Sequence, residues 1–179
     1  EHPYCRFPAR RRWLDARLAL GNSAFPSRDC PQFDDFHARL DAAAISLVFS
    51  SYFLYNPASA FGHTFLRVER ATRDAKRQDL IDHAIDFSAN VDSTNALGYA
   101  VGGLTGGFPG IFRSLPYYLK IREYNDFESR DLWEYELNLT PEEVQLLIAH
   151  LWELGSTHFD YYYLTENCSY HILSALEAA

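Results

Sequence analysis

Three apolar-rich runs, ISLVFSSYFL (45–54), GHTFLRVER (62–70) and LIDHAIDFSA (80–89), follow one another with only short polar breaks. Their β-branched and aromatic residues read as strands, and the charged segment 71–79 reads as a solvated hairpin loop. Helical patterns flank this block. Residues 8–20 (PARRRWLDARLAL) place Pro8 near a helix start and Gly21 past its end, and residues 33–43 form a second helix. Toward the other terminus, Thr140-Pro141-Glu142-Glu143 is a capping box ahead of VQLLIAHLWEL, which stops at Gly155. Asn167 then caps a last helix in which Ile172, Leu173 and Leu176 recur at helical spacing. PYYLKIREYNDF (116–127) and RDLWEYELNL (130–139) read as further strands. The pattern predicts an α+β domain, an antiparallel sheet with helices at both ends.

A chain of 179 residues suits one such domain, with 1–44 as an N-terminal helical segment and 45–179 as the core. A hydrophobic content of 47% argues against disorder. The net charge of −8 excludes nucleic acid as a partner, since a phosphate backbone would be repelled. The one basic run, Arg10 to Arg12, reads first as a solvated helix start and second as a patch facing anionic headgroups. Of three cysteines, Cys5 and Cys30 flank the N-terminal segment. In an exported protein they would close a disulfide worth about 3 kcal/mol, leaving Cys168 unpaired. The sequence begins at Glu1 and carries no signal peptide, as expected for an exported chain without its leader.

Residues 93–112 (STNALGYAVGGLTGGFPGIF) hold no charged residue and six glycines. So many glycines, with Pro109, exclude a membrane-spanning helix. The stretch reads as a packed glycine-rich loop or, alternatively, as a substrate-facing or membrane-grazing flap.

Cys168 is the first residue of the last helix, where free N–H groups and the helix dipole favour a thiolate. A buried cysteine is also an ordinary core residue, so a nucleophilic role needs a base within reach. Among seven histidines, His171 shares the helix but is nearly local to the thiol. His63 opens a strand directly after Gly62, where a backbone or substrate can approach closely. Pairing Val68 with Ile81 across the hairpin sets His63 opposite Asp86 and Arg67 opposite Asp82. Asp86 would then orient the imidazole, with Asn90 and His83 as alternatives if the register slips. No CxxC, HExxH, P-loop or GxSxG motif is present, and no ligand spacing supports a metal at His63, Asp82, His83 and Asp86. No cofactor is expected.

Together CRFPARRRWL, NPASAFGHTFLRV, GGLTGGFPGIF, YNDFESRDLWEYELNLT and ENCSYHIL resemble the Lnb N-terminal periplasmic domain family, from Cys5 to Leu176. GHTFLRV ahead of ENCSYHILSALE also resembles circularly permuted papain-like thiol enzymes, such as permuted NlpC-type peptidases and the lecithin retinol acyltransferase group. The resemblance implies a circularly permuted papain-like fold, a periplasmic location, Cys168 as nucleophile and His63 as its base. It further implies a lipoprotein N-acyltransferase that moves an acyl chain from a phospholipid to a lipoprotein's N-terminal amine. Such enzymes carry a membrane-spanning region after this domain; these residues show none.

On that expectation Cys168 forms a thioester. Its own N–H, with Asn167 or Tyr52, would stabilise the oxyanion. The stretch containing Gly106 and Gly107, with Phe61, Tyr117 and Tyr118, would line an acyl groove at a membrane surface. The competing readings are a cysteine amidase or peptidase acting on peptidoglycan peptides in a polar cleft, and a non-catalytic periplasmic binding domain.

Overall fold

The computed structural model describes residues 2–20, 25–53, 62–72, 78–91 and 95–179. A six-stranded antiparallel sheet runs through it in the order β5-β1-β2-β3-β4-β6. Its strands are β1 (Ala42–Ser50), β2 (His63–Arg70), β3 (His83–Ala89), β4 (Phe108–Pro116), β5 (Leu132–Glu136) and β6 (Phe159–Tyr161). Three helices cover one face: α3 (Pro31–Leu40), α7 (Pro141–Leu154) and α8 (Cys168–Glu177). Leu40, Ile45, Leu66, Val68, Ile85, Phe87, Leu147, Ile148 and Ile172 pack between these layers. On the other face α6 (Tyr117–Ile121) continues into a π-helical turn (Arg122–Phe127), and Tyr117 and Tyr124 pack on Val48, Phe65 and Ala84. The architecture is α+β, as the patterning predicts.

The local helix signals hold. Thr140 Oγ1 accepts from Glu143 N at 3.3 Å, Glu143 Oε2 accepts from Thr140 N at 2.7 Å, and Pro141 takes the first helical position of α7. Two sequence expectations are corrected. Residues 117–127 are not a strand: Tyr117, Lys120 and Tyr124, three and four residues apart, share one helical face and all turn inward. The charge-free stretch is not a loop either. Asn95 caps helix α5 (Ala96–Thr105), its Oδ1 accepting from Leu97 N at 3.0 Å, and Gly106 ends the helix at φ 75°. The chain then returns directly as β4.

The hairpin register differs from the expected one. Leu66 faces Ile85, Arg67 faces Ala84 and Val68 faces His83, two residues from the alignment of Val68 with Ile81. A short helix α4 (Gln78–Ile81) takes up residues read as strand, so β3 starts late. Because side chains alternate with period two, a shift of two residues restores every one to its face. The expected partners therefore still meet. Arg67 Nε donates to Asp82 Oδ2 at 2.9 Å, and its Nη1 reaches Glu134 Oε2 on β5 at 2.7 Å.

The N-terminal helices α1 (Pro3–Arg6) and α2 (Pro8–Leu18) dock on α7. Cys5 and Cys30 are joined in the expected disulfide, with Cα atoms 5.3 Å apart. Trp152 Nε1 donates to Cys5 O at 2.9 Å. Glu153, 3% exposed, accepts from Ala9 N at 2.7 Å and Arg10 N at 2.9 Å, and Arg10 Nε lies 3.1 Å from its other oxygen. A buried carboxylate thus caps α2 in trans, at the positive end of its dipole. Part of the basic run therefore serves docking.

Replacing Glu153 with Ala orphans the buried Ala9 N–H and the partly buried Arg10 N–H. The expected loss is about 2–3 kcal/mol of unfolding free energy, measured by urea denaturation under oxidising conditions.

Candidate active site

β2 and β3 pair over Leu66–Val68, and the ladder stops short of Thr64. Into this opening between two strands points the N-terminus of α8. Asn167 sets that end: its Oδ1 accepts from Ser169 N at 3.1 Å and Tyr170 N at 3.4 Å, while its Nδ2 donates to Tyr163 O at 3.1 Å. Ser169 Oγ meets Thr64 Oγ1 at 2.8 Å, which clamps the helix end to β2. Cys168 follows the cap and is 6% exposed.

His63 is the first residue of β2, opposite Ser50 of β1. Gly62 is required before it. The backbone turns there at φ 89°, and a Cβ would fall 2.6 Å from Ser50 O and 2.7 Å from the Phe49 ring. The imidazole stacks on Phe65, with ring centres 5.9 Å apart, and its Nε2 lies 2.5 Å from Asp86 Oδ1. With Nε2 committed, Nδ1 is the ring nitrogen left for the thiol, and His63 and Cys168 are near enough to shift each other's titration.

The sulfur has two further donors. The Thr64 backbone N–H, outside the β2–β3 ladder, and the Tyr161 hydroxyl both face it. Burial alone would raise the thiol pKa. His63 first, then these donors, bring it down from 9.0 to about 7. Burial would likewise lower the imidazole pKa, but Asp86 and the sulfur raise it to about 10. The lowered thiol and the raised imidazole both favour a thiolate beside an imidazolium, and the two titrations belong to the pair.

Asp86 is 4% exposed and is held from three sides. Besides His63, Lys120 Nζ lies 3.3 Å from Oδ2, and Ser88 Oγ donates to the same oxygen at 3.2 Å. Burial favours a neutral carboxyl; the cations at His63 and Lys120 override it and keep the group ionised, well below the usual carboxylate range. Lys120, 6% exposed, also donates to Glu123 Oε2 at 3.0 Å and Tyr124 Oη at 3.2 Å. A cleft of about 490 Å³ opens over this group, lined in part by His63, Asp86, Tyr99, Arg113, Lys120 and Tyr161.

The structure therefore brings Cys168, His63 and Asp86 together. The other expected residues lie elsewhere. Asn167 spends its Oδ1 on the helix cap and one Nδ2 hydrogen on the preceding loop. Tyr52 is 65% exposed and does not line the cleft. Tyr117 is fully buried under the same layer but does not line the cleft, its hydroxyl donating to Glu134 and its ring 4.6 Å from the Arg67 guanidinium. Tyr118 is half-buried outside the cleft. Gly106 and Gly107 are turn residues, packed on the Tyr162 ring and the Gly102 backbone. Phe61 lies outside the described residues. His171 packs its ring 4.2 Å from Phe87 rather than on the thiol, and His83 pairs with Val68. Asn90 accepts from Arg113 Nη2 at 3.2 Å.

Tyr161 has no counterpart in the sequence expectations. Its hydroxyl sits by both the Cys168 sulfur and backbone, and burial, then the neighbouring sulfur, push its pKa upward. The tyrosine run 161–163 was the available signal. Among the described residues, no cluster of His, Cys, Asp and Glu is placed to hold a metal ion.

Two outcomes follow from these groups. Iodoacetamide should alkylate Cys168 in the folded protein with a midpoint near pH 7, because the thiolate forms as pH rises through the lowered pKa. His63→Ala should return that midpoint toward the ordinary thiol range of about 8.5, read by mass spectrometry across a pH series. Lys120→Met should move the His63 titration still higher, since Asp86 is then shared with one cation fewer. NMR of histidine-labelled protein checks this, with Lys120→Arg restoring the parent curve.

The profile of the Lnb N-terminal periplasmic domain family matches residues 32–179. Searches of curated proteins and of solved structures gave no match. No helix among the described residues is long and apolar enough to cross a membrane. With residues 32–179 matched out of 179, the chain belongs to the Lnb N-terminal periplasmic domain family and is a periplasmic domain.

Proposed function

We propose that this domain is a thiol acyltransferase that passes an acyl group through a thioester on Cys168, taking it from a phospholipid and giving it to a lipoprotein's N-terminal amine. The observation that carries this reading is the convergence of Asp86, His63 and Cys168 at a helix N-terminus, with Asp86 hydrogen-bonded to the imidazole and the imidazole neighbouring the sulfur. The order of a histidine strand before a cysteine helix accords with a circularly permuted papain-like arrangement.

The Cys168 thiolate attacks the ester carbonyl and forms the C–S bond. Negative charge then gathers on the carbonyl oxygen, within reach of the Cys168 N–H and the Tyr161 O–H, which already converge beside the sulfur. As the C–O bond breaks, His63 gives its proton to the leaving alcohol. An amine attacks the thioester next, His63 takes the amine's proton, and the thiolate departs. Water in the amine's place would make the same site a hydrolase. Throughout, Asp86 holds the imidazole and balances its charge.

One observation favours a second reading, a cysteine amidase acting on peptidoglycan peptides. The cleft is lined by Ser88, Arg113, Lys120 and Glu123, which suit a polar substrate. The two readings separate in one experiment. Incubation with an acyl-labelled phospholipid in mixed micelles should leave a hydroxylamine-sensitive label on Cys168. His63→Ala should slow its appearance by a factor of about 10²–10⁴. No adduct, together with cleavage of muropeptides, would sink the acyl-transfer reading.

A further inference from the structure

We propose that Arg113 holds the phosphate of the acyl donor and so selects a phospholipid over a neutral acylglycerol, an inference that rests on the acyl-transfer reading above. β3 and β4 pair Asp86 directly with Arg113, so both side chains leave the sheet on the face that carries the cleft. Directly opposed charges of this kind usually join. Here they do not, because both Asp86 oxygens are taken by His63, Lys120 and Ser88.

The Arg113 guanidinium instead donates to Asn90 Oδ1, a neutral acceptor, at 3.2 Å. Among the described residues no carboxylate lies within ion-pairing distance of it. The other cations of the cleft are committed: Lys120 to Asp86 and Glu123, His63 to Asp86. Arg113 thus brings a fixed positive charge, anchored by one hydrogen bond and with donors to spare, into the cleft that His63 also lines. Its planar fork matches phosphate geometry.

Another wall of the same cleft has the opposite character. Tyr99 comes from α5, which lies in the stretch 93–112 without a charged residue. The outer side of this helix exposes Leu97, Val101 and Leu104, at 72%, 51% and 56%. Their spacing of four and three residues places them on one face. A cation on one wall and an uncharged helix on another fit an anionic amphiphile. Its phosphate goes to Arg113, its ester to Cys168 and its chain toward α5. A short charged peptide would satisfy Arg113 and leave the apolar ridge without a partner.

The test compares thioester formation from phosphatidylglycerol with that from diacylglycerol of the same chains, in neutral detergent micelles, for the parent protein, R113Q and R113K. Circular dichroism checks the fold. The parent should favour the phospholipid by about tenfold to a hundredfold. In R113Q that ratio should fall to about one, and R113K should lie between, because lysine keeps the charge and loses the fork. A ratio retained in R113Q overturns the proposal, as does an equal loss on both substrates. Either result leaves acyl transfer standing; absence of any thioester in the parent sinks both ideas.

Glycerol 3-phosphate should compete with phosphatidylglycerol in the parent, more strongly than inorganic phosphate. Equal competition would assign the site to a free anion and overturn the lipid assignment. If R113Q does not fold, this competition carries the test, and its absence overturns the proposal.

Discussion

A carboxylate sealed from solvent, Asp86, is the constraint on which the rest of the site depends. Burying a charge is costly unless it is paired and hydrogen-bonded on every side. Here the pairing comes from three places in the chain: His63 on β2, Ser88 on β3 and Lys120 on α6. Removing any one partner leaves the others with an uncompensated group. The arrangement therefore fixes where α6 sits against the sheet, and with it the aromatic packing of Tyr124 beside His63. Because Asp86 holds Nε2, the other ring nitrogen is aimed at the sulfur, and the sulfur can rest as a thiolate. One buried charge thus orders the α6 layer and the cleft beside it.

The parts of this site legible in the sequence are those that short-range geometry determines. Asn167 before Cys168 is a local cap signal, and Gly62 before His63 is a local sign of a crowded backbone. The meeting of His63 with Asp86 was legible for a subtler reason. The expected register was wrong by two residues, yet strand parity is unchanged by an even slip, so the shared face survived. An odd slip would have turned Phe87 or His83 toward the imidazole instead.

What was not legible depended on distant packing. The tyrosines and Ile121 made 116–127 look extended, whereas the same residues read at helical spacing put Tyr117, Lys120 and Tyr124 on one side. Tertiary contacts with Phe65 and Asp86 decide between the two. In α5 the glycines suggested a loop. Their small size serves close packing: a Cβ on Gly103 would fall 2.0 Å from the Tyr163 ring, and one on Gly102 2.6 Å from Phe108. Tyr161 sits on a three-residue strand, too short to show a period. Its place at the sulfur comes from pairing with β4, which no local pattern encodes.

The same contacts join a polar centre to an apolar helix, as the proposed acyl transfer requires. Acyl chemistry needs donors fixed before charge develops, which the sheet and the α8 N-terminus supply. Hydrocarbon needs a surface without charge, which α5 supplies. Two hydrogen bonds join them: Tyr163 N donates to Gly103 O at 2.9 Å, and Asn167 Nδ2 donates to Tyr163 O at 3.1 Å. Asn167 in turn caps the helix that begins with Cys168. A displacement of α5 would therefore pull on the residue that positions the thiol. The glycines that let Tyr163 lie against α5 keep this path short, so the apolar helix and the nucleophile are held in one frame.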